Sequence, residues 1–351
     1  MGNRFSTTYA RILLRGNRTI NNTSNKNNRE AIQPGPKYYY LGLSLTELLV
    51  SLLLSNIIIV MVLQGYLFIQ KIILKLEERF TLAQKADIAD FYLRQDIQFS
   101  GYKGYRSCDC SLLDINHVNS LNKLIFKNQV LIAKNVFPGC QTKELPKKIA
   151  DKISKQEIIA NTDILFIKDI PKAIYKLAIP IRDLCAAIEI KDHFTPPLHN
   201  DSLLAIADIK SIERFVASRI IANKYIYREL PENNNTCLQH AHDIDAEIIV
   251  LQWVVYYLAK HATAETYTLY RDDIINNAEG ILDGIEDFYV RLINEDKEQT
   301  NIIGAEISIL LRSEAKLFGE QVLIWRDKTL RFTDGYLRSP ITFTMAMRNV
   351  C

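Results

Sequence analysis

Residues 48–70 carry no charge, and most of them are Leu, Ile or Val. At 1.5 Å per residue such a run, wound as a helix, crosses a hydrocarbon core of about 30 Å. One carboxylate, Glu47, stands at its head, with no basic neighbour in sequence to pair with. An ionised carboxylate within a bilayer costs about 2.5–3.5 kcal/mol, so Glu47 lies at the interface or has a partner. One reading puts it in the first helical turn, where the helix dipole favours negative charge. A second joins it to Gly42: a cut after Gly42 creates an α-amino group on Leu43, four residues before the carboxylate. That amine could neutralise Glu47 of a neighbouring subunit inside an apolar bundle and set the register of assembly. The residues alone leave both readings open.

Charge is distributed unevenly. Residues 1–42 hold seven Lys/Arg against one Glu, and this net +6 exceeds the whole chain's +3, leaving −3 for residues 43–351. The basic balance therefore belongs to the leader and gives no indication of nucleic-acid binding by the remainder. The leader is polar, rich in Asn and broken by Pro34-Gly35-Pro36. It reads as a cytoplasmic segment, which predicts the N-terminus inside and the long C-terminal part outside. Six Cys, all beyond Gly42, fit an oxidising compartment such as the periplasm. Cys108, Cys110, Cys140, Cys185, Cys237 and Cys351 can form up to three disulfides, in fifteen connectivities that spacing does not choose between. Cys108 and Cys110 are too close to pair comfortably with each other.

The predicted architecture is α+β: a long N-terminal helix whose first half spans the membrane, packed on a C-terminal β-rich domain. Its segments are 1–42 (leader), 43–70 (membrane or filament-core helix), 71–104 (amphipathic continuation) and 105–351 (periplasmic β-rich domain). The helix is expected from Leu43 to about Ile97, with Gly101 and Gly104 as stop signals. Beyond Lys71, Ile72, Leu76, Phe80, Ala83, Ala86, Phe91 and Leu93 recur at near-helical spacing. This stripe is expected to pack on the chain's own β-domain, or else to dock partner subunits. Strands are expected at 163–170, 203–209, 214–217, 224–229 and 267–271, with a hairpin joining 124–127 to 130–132. The run 247–258, with Trp253, Tyr256 and Tyr257, is too short for a second span and suits a buried strand.

The stretch Gly42-Leu43-Ser44-Leu45-Thr46-Glu47-Leu48-Leu49-Val50 resembles the processing site of the type IV prepilins, and most closely that of PilW-type minor pilins. In that family a Gly precedes the cut and a Glu stands fifth in the mature chain. Further along, 280–290 is similar to the family's core segment, 305–313 to its late strand and 342–349 to its closing strand. The resemblance implies a pilin-like fold, cleavage between Gly42 and Leu43 by a prepilin peptidase, N-methylation of Leu43 and an assembly role for Glu47. It also implies other minor and major pilins and the inner-membrane assembly platform as partners, with roles in pilus biogenesis, adhesion or twitching motility. A type II secretion pseudopilin shares the motif. A periplasmic enzyme or receptor held by an uncleaved signal anchor is the reading from a different class.

No nucleophile elbow, phosphate loop, dinucleotide fingerprint or zinc-protease motif occurs in the sequence, so no catalytic residue and no cofactor are expected. His240 and His242, with Asp243 and Asp245, are the best metal candidates, but solvated loop residues are the commoner outcome and no metal is expected. Glu286 and Asp287 are adjacent on an expected strand, where alternation should point them to opposite faces.

Overall fold

The computed structural model describes residues 44–102, 104, 113–116, 130–136, 147–155, 157–195, 197–228, 237–260, 266–273, 278–294 and 302–348. The chain forms two compact units, Met1–Val62 and Leu63–Cys351. Helix α1 (Leu45–Phe99) begins in the first and ends in the second, within two residues of the bounds expected from sequence. In the first unit the large apolar side chains from Leu45 to Val62 are all exposed, and the helix is long and apolar enough to cross a membrane. The polar Ser55 is satisfied within the helix, its Oγ donating to the Ser51 carbonyl at 2.8 Å.

The second unit is built around a strand that is buried on both faces. The strands in chain order are β1 (Leu113–Asn116), β2 (Leu131–Asn135), β3 (Asp163–Lys176), β4 (Ile188–Glu189), β5 (Leu203–Ala207), β6 (Ser211–Val216), β7 (Arg219–Ile221) and β8 (Tyr225–Tyr227). They continue as β9 (Glu247–Lys260), β10 (Tyr267–Asp273), β11 (Ala278–Asn294), β12 (Ile302–Arg312), β13 (Gln321–Trp325), β14 (Lys328–Phe332) and β15 (Arg338–Ala346). A short helix, α2 (Lys147–Ser154), precedes β3. Ten strands form one sheet in the order β1-β6-β5-β9-β10-β11-β12-β15, with β3 on a further edge of β9 and β2 beside it. All of these pairs are antiparallel except β1–β6.

β9 is where the sheet forks. Along one edge it pairs with β3 from Glu247 to Tyr256. On the other, β5 covers Glu247 to Val250, and β10 takes over only at Val254. The two branches serve different cores. Val254, Tyr256 and Leu258 pack with β10, β11, β12 and α1, whereas Ile248 and Val250 pack with Leu204, Ile206 and Phe215. Being covered on both faces explains why β9 reads as an unbroken apolar run rather than an alternating one.

One expectation is corrected here. The seam of α1 on the sheet is Leu82, Ala89, Leu93 and Ile97, with Ala86 half-buried. Of the expected stripe only Ala86 and Leu93 take part, while Ile72, Leu76, Phe80, Ala83 and Phe91 are exposed. At 3.6 residues per turn, Phe80 and Phe91 lie roughly 140° and 160° round the helix from Leu93, on its other side. Of the hairpin expected to join 124–127 to 130–132, only the second arm is described. Leu131–Asn135 pairs antiparallel with β3, and the partner expected for it, 124–127, lies outside the described residues.

Candidate functional site

The head of α1 is closed by a reciprocal pair. The Glu47 carboxylate accepts the Ser44 backbone N–H at 3.3 Å, and Ser44 Oγ accepts the Glu47 backbone N–H at 3.2 Å. This is a capping box, which satisfies two helix donors that otherwise lack partners. Its signal, a Ser three residues before a Glu at the start of an apolar run, is legible in the sequence. Gly42 and Leu43 lie outside the described residues. A cut between them would leave the Ser44–Glu47 cap within the remaining chain.

The far end of α1 is fixed to the sheet through Asp96, a buried residue on the helix's inner face. Arg271 of β10 donates from Nε at 2.7 Å and from a terminal nitrogen at 3.1 Å, one bond to each carboxylate oxygen. Tyr256 of β9 donates its hydroxyl to the same carboxylate at 2.6 Å. Burial first, then the charge and hydrogen bond of Asp96, push the Tyr256 phenol well above its usual range. For Arg271 burial opposes the charge, but Asp96 outweighs it and the guanidinium is held more firmly protonated than usual. Nothing in the spacing of Asp96, Tyr256 and Arg271 reveals this group, because its members lie 160 and 175 positions apart from the helix residue.

Gly101 and Gly104 end the helix as expected, with φ of 68° and 86°. Gly101 N–H donates to the Lys168 carbonyl and Tyr102 N–H to that of Asp169, so the chain leaves the helix pinned to β3. Asp169 is itself left-handed, at φ 56°, in a bulge of β3. Its buried carboxylate meets Arg214 at 2.8 Å and Trp253 Nε1 at 3.0 Å, contacts that hold the strained backbone in place. Lys168 lies over the Trp253 ring, and burial lowers its pKa. Nearby, the Tyr102 hydroxyl donates to Glu247, and burial together with that carboxylate raises its pKa to about 12.

Among the described residues the opposite face of α1 has no such partners. Ile73, Phe80, Ile88 and Phe91 remain 48%, 65%, 42% and 63% exposed, at spacings of seven, eight and three residues. These steps keep them on one side of a helix. Between Leu63 and Phe99 the helix is thus closed by the sheet on one side from Leu82 onward, while its other side exposes Phe80, Ile88 and Phe91 among the polar Glu77, Gln84, Asp87 and Gln95.

The remaining sequence candidates separate. Cys185 and Cys237 form a disulfide; Cys108, Cys110, Cys140 and Cys351 lie outside the described residues. His242 is fully buried rather than solvated, with Nδ1 2.7 Å from Asp208 and Nε2 3.5 Å from Glu213. Glu213, also fully buried, accepts the backbone N–H groups of Gln239 and His240, each at 2.8 Å. Asp243 instead meets Arg182 at an exposed position, so the candidate set of His240, His242, Asp243 and Asp245 is not assembled. Among the described residues no set of three His, Cys, Asp or Glu side chains is placed to hold a metal ion.

The strand alternation expected at Glu286 and Asp287 fails, because β11 bulges between Ile285 and Asp287 against β12. Glu286 takes Arg338, whose guanidinium lies over Phe332, while Asp287 takes Trp325 Nε1 and Arg326. Both acids thus serve to hold the β13–β14 hairpin, each through its own cation. Comparison with known proteins gives no match to family models, curated proteins or solved structures.

Proposed function

We propose that this chain is a membrane-inserted minor pilin of the type IV pilus family, cut after Gly42 and carried into a filament by α1. The observation that carries the reading is the set of large apolar side chains left exposed on the side of α1 away from the sheet. A helix that only tethers a domain needs apolar surface along its membrane span and along the seam it buries. Here Phe80, Ile88 and Phe91 remain exposed on the side of the helix away from the buried seam, among polar neighbours, and a neighbouring amphipathic helix is the partner that would cover them. In this mechanism the span supplies lateral packing, Glu47 meets the Leu43 amine of a neighbour, and the β-rich unit caps or primes the growing end.

A second reading is favoured by the capping box. Because Ser44 already gives the Glu47 carboxylate a partner within its own chain, an uncleaved anchor tethering a β-rich domain needs no intersubunit amine. Mass spectrometry of the N-terminus in cells with active prepilin peptidase separates the two. A chain beginning at an N-methylated Leu43 is expected. An intact leader, where other prepilins in the same cells are trimmed, removes the filament reading and leaves the anchor.

A further inference from the structure

We propose that the loop between β12 and β13 is a membrane foot, seated in the lipid headgroup layer where α1 leaves the bilayer. This goes beyond the filament reading but rests on its first step, the insertion of α1. The charge-free run ends at Gln70, and its last residues, from Leu63, belong to the same compact unit as the sheet. The level at which α1 leaves the hydrocarbon is therefore fixed relative to the loops of the sheet.

Contacts along α1 show how far the loop reaches. Just past β12, Glu314 donates its backbone N–H to the Glu78 carboxylate at 3.2 Å, and its own carboxylate meets Lys85 at 3.1 Å. Further along the loop, the Phe318 ring lies under Lys75, with Nζ 5.7 Å from the ring centroid. Phe318 is held there by its backbone N–H, which donates to the Gly335 carbonyl at 3.0 Å. The loop thus descends along the helix toward the membrane. Lys75 stands five residues past Gln70, roughly 7.5 Å of helical rise. Helical side chains lean toward the N-terminus, so its amine reaches back toward the bilayer. The headgroup layer adds about 5–7 Å on each side of the hydrocarbon, and Phe318 meets the Lys75 amine at that level.

The residues at this level suit lipid better than protein. Ile72, Ile73, Leu74 and Leu76 are all exposed, interrupted by Lys71 and Lys75. Successive positions point all round a helix, so these residues form a collar rather than a stripe. A docked protein covers one side of such a collar, whereas a bilayer surrounds it. Beside it, Lys316 lies over the Tyr336 ring, 5.0 Å from its centroid. Aromatic rings, with lysines whose stems follow apolar surface and whose amines reach phosphate, are the pairing favoured at headgroup level. The nearby acids Glu78, Glu314, Glu320 and Asp334 are each engaged within the chain. Glu77 is the remaining acid, against Lys71, Lys75, Arg79 and Lys316. Seated there, the loop gives the β-rich unit a second foothold beside the span.

The test is fluorescence quenching of the full-length protein reconstituted in phosphatidylcholine vesicles carrying a nitroxide either on the headgroup or deep in the acyl chain. Gly319→Trp is the reporter, because a side chain at Gly319 meets nothing within 4 Å. The native Trp253 and Trp325 are buried, and their emission is subtracted using the wild type. Ile59→Trp, at an exposed position within the charge-free run, reports insertion of α1 by itself. The headgroup nitroxide should quench Gly319→Trp more strongly than the deep one, and the order should reverse for Ile59→Trp. If Ile59→Trp is quenched by the deep label while Gly319→Trp is quenched by neither, α1 is inserted and the foot is overturned, which leaves the collar to a protein partner. If neither reporter is quenched, insertion itself fails and the proposal falls with it.

Discussion

Arg271 closes on both oxygens of Asp96 from a strand 175 positions away, at 2.7 and 3.1 Å, and through that pair α1 is bound to the centre of the sheet. Asp96 is 4% exposed, so removing its partner leaves a charge with no access to water. Arg271→Met should therefore cost about 3–5 kcal/mol of unfolding free energy. Urea denaturation of the intact protein followed by circular dichroism measures this. The double variant Arg271→Met with Asp96→Leu should recover much of the loss, since no stranded charge remains. A single-variant loss under about 1 kcal/mol means the pair does not anchor the helix.

The two faces of α1 should respond oppositely to substitution. Leu93→Ala, on the seam and fully buried, should cost about 2–5 kcal/mol. Phe91→Glu, on the open face, should change stability by no more than about 0.5 kcal/mol while abolishing recovery of the protein in sheared pili. Normal recovery would show that the open face is not a contact surface.

Glu47 can be assigned by comparing an amide with an alanine. Gln still accepts the Ser44 N–H, so Glu47→Gln should preserve the cap and remove only the charge. Glu47→Ala should lose both, fraying the first turn by about 0.5–2 kcal/mol in hydrogen exchange. Under the filament reading both variants insert in the membrane and neither enters pili. If Glu47→Gln assembles normally, the residue acts as a cap and nothing more.

Tyr102 makes stability depend on alkaline pH. Its folded pKa, raised to about 12 by burial and Glu247, lies above the model-compound value of 10.0. A raised pKa contributes stability that is complete below pH 10 and is lost as pH rises through about 12. The difference in phenolate absorbance between wild type and Tyr102→Phe should isolate one group titrating near pH 12. Glu247→Gln should shift that group back toward 10. A Tyr102 that titrates at its ordinary value would show that the residue is not seated against Glu247.

The Cys185–Cys237 bond spans 52 residues, for which loop entropy gives about 4 kcal/mol, with measured values commonly about 2–4. Peptide mapping without reductant should recover the two residues as one linked fragment, and Cys185→Ser with Cys237→Ser should lower stability by that range. Recovery of either Cys bound to a different partner would overturn the pairing.

The sequence by itself determined the long helix and its apolar head, because both rest on local periodicity and on the cost of exposing or burying charge along one segment. It also determined most strands of the sheet, including the doubly buried β9, since burial on two faces writes a continuous apolar run. Which face of α1 is sealed was not legible, since Phe80 and Leu93 are equally apolar and only the placement of the sheet tells them apart. The same holds for Asp96 with Arg271, for His242 with Asp208 and Glu213, and for the bulge that puts Glu286 and Asp287 to work on one hairpin. Their partners come from strands far apart in the chain, and pairing of that kind is fixed by strand order and register, which only the folded sheet supplies.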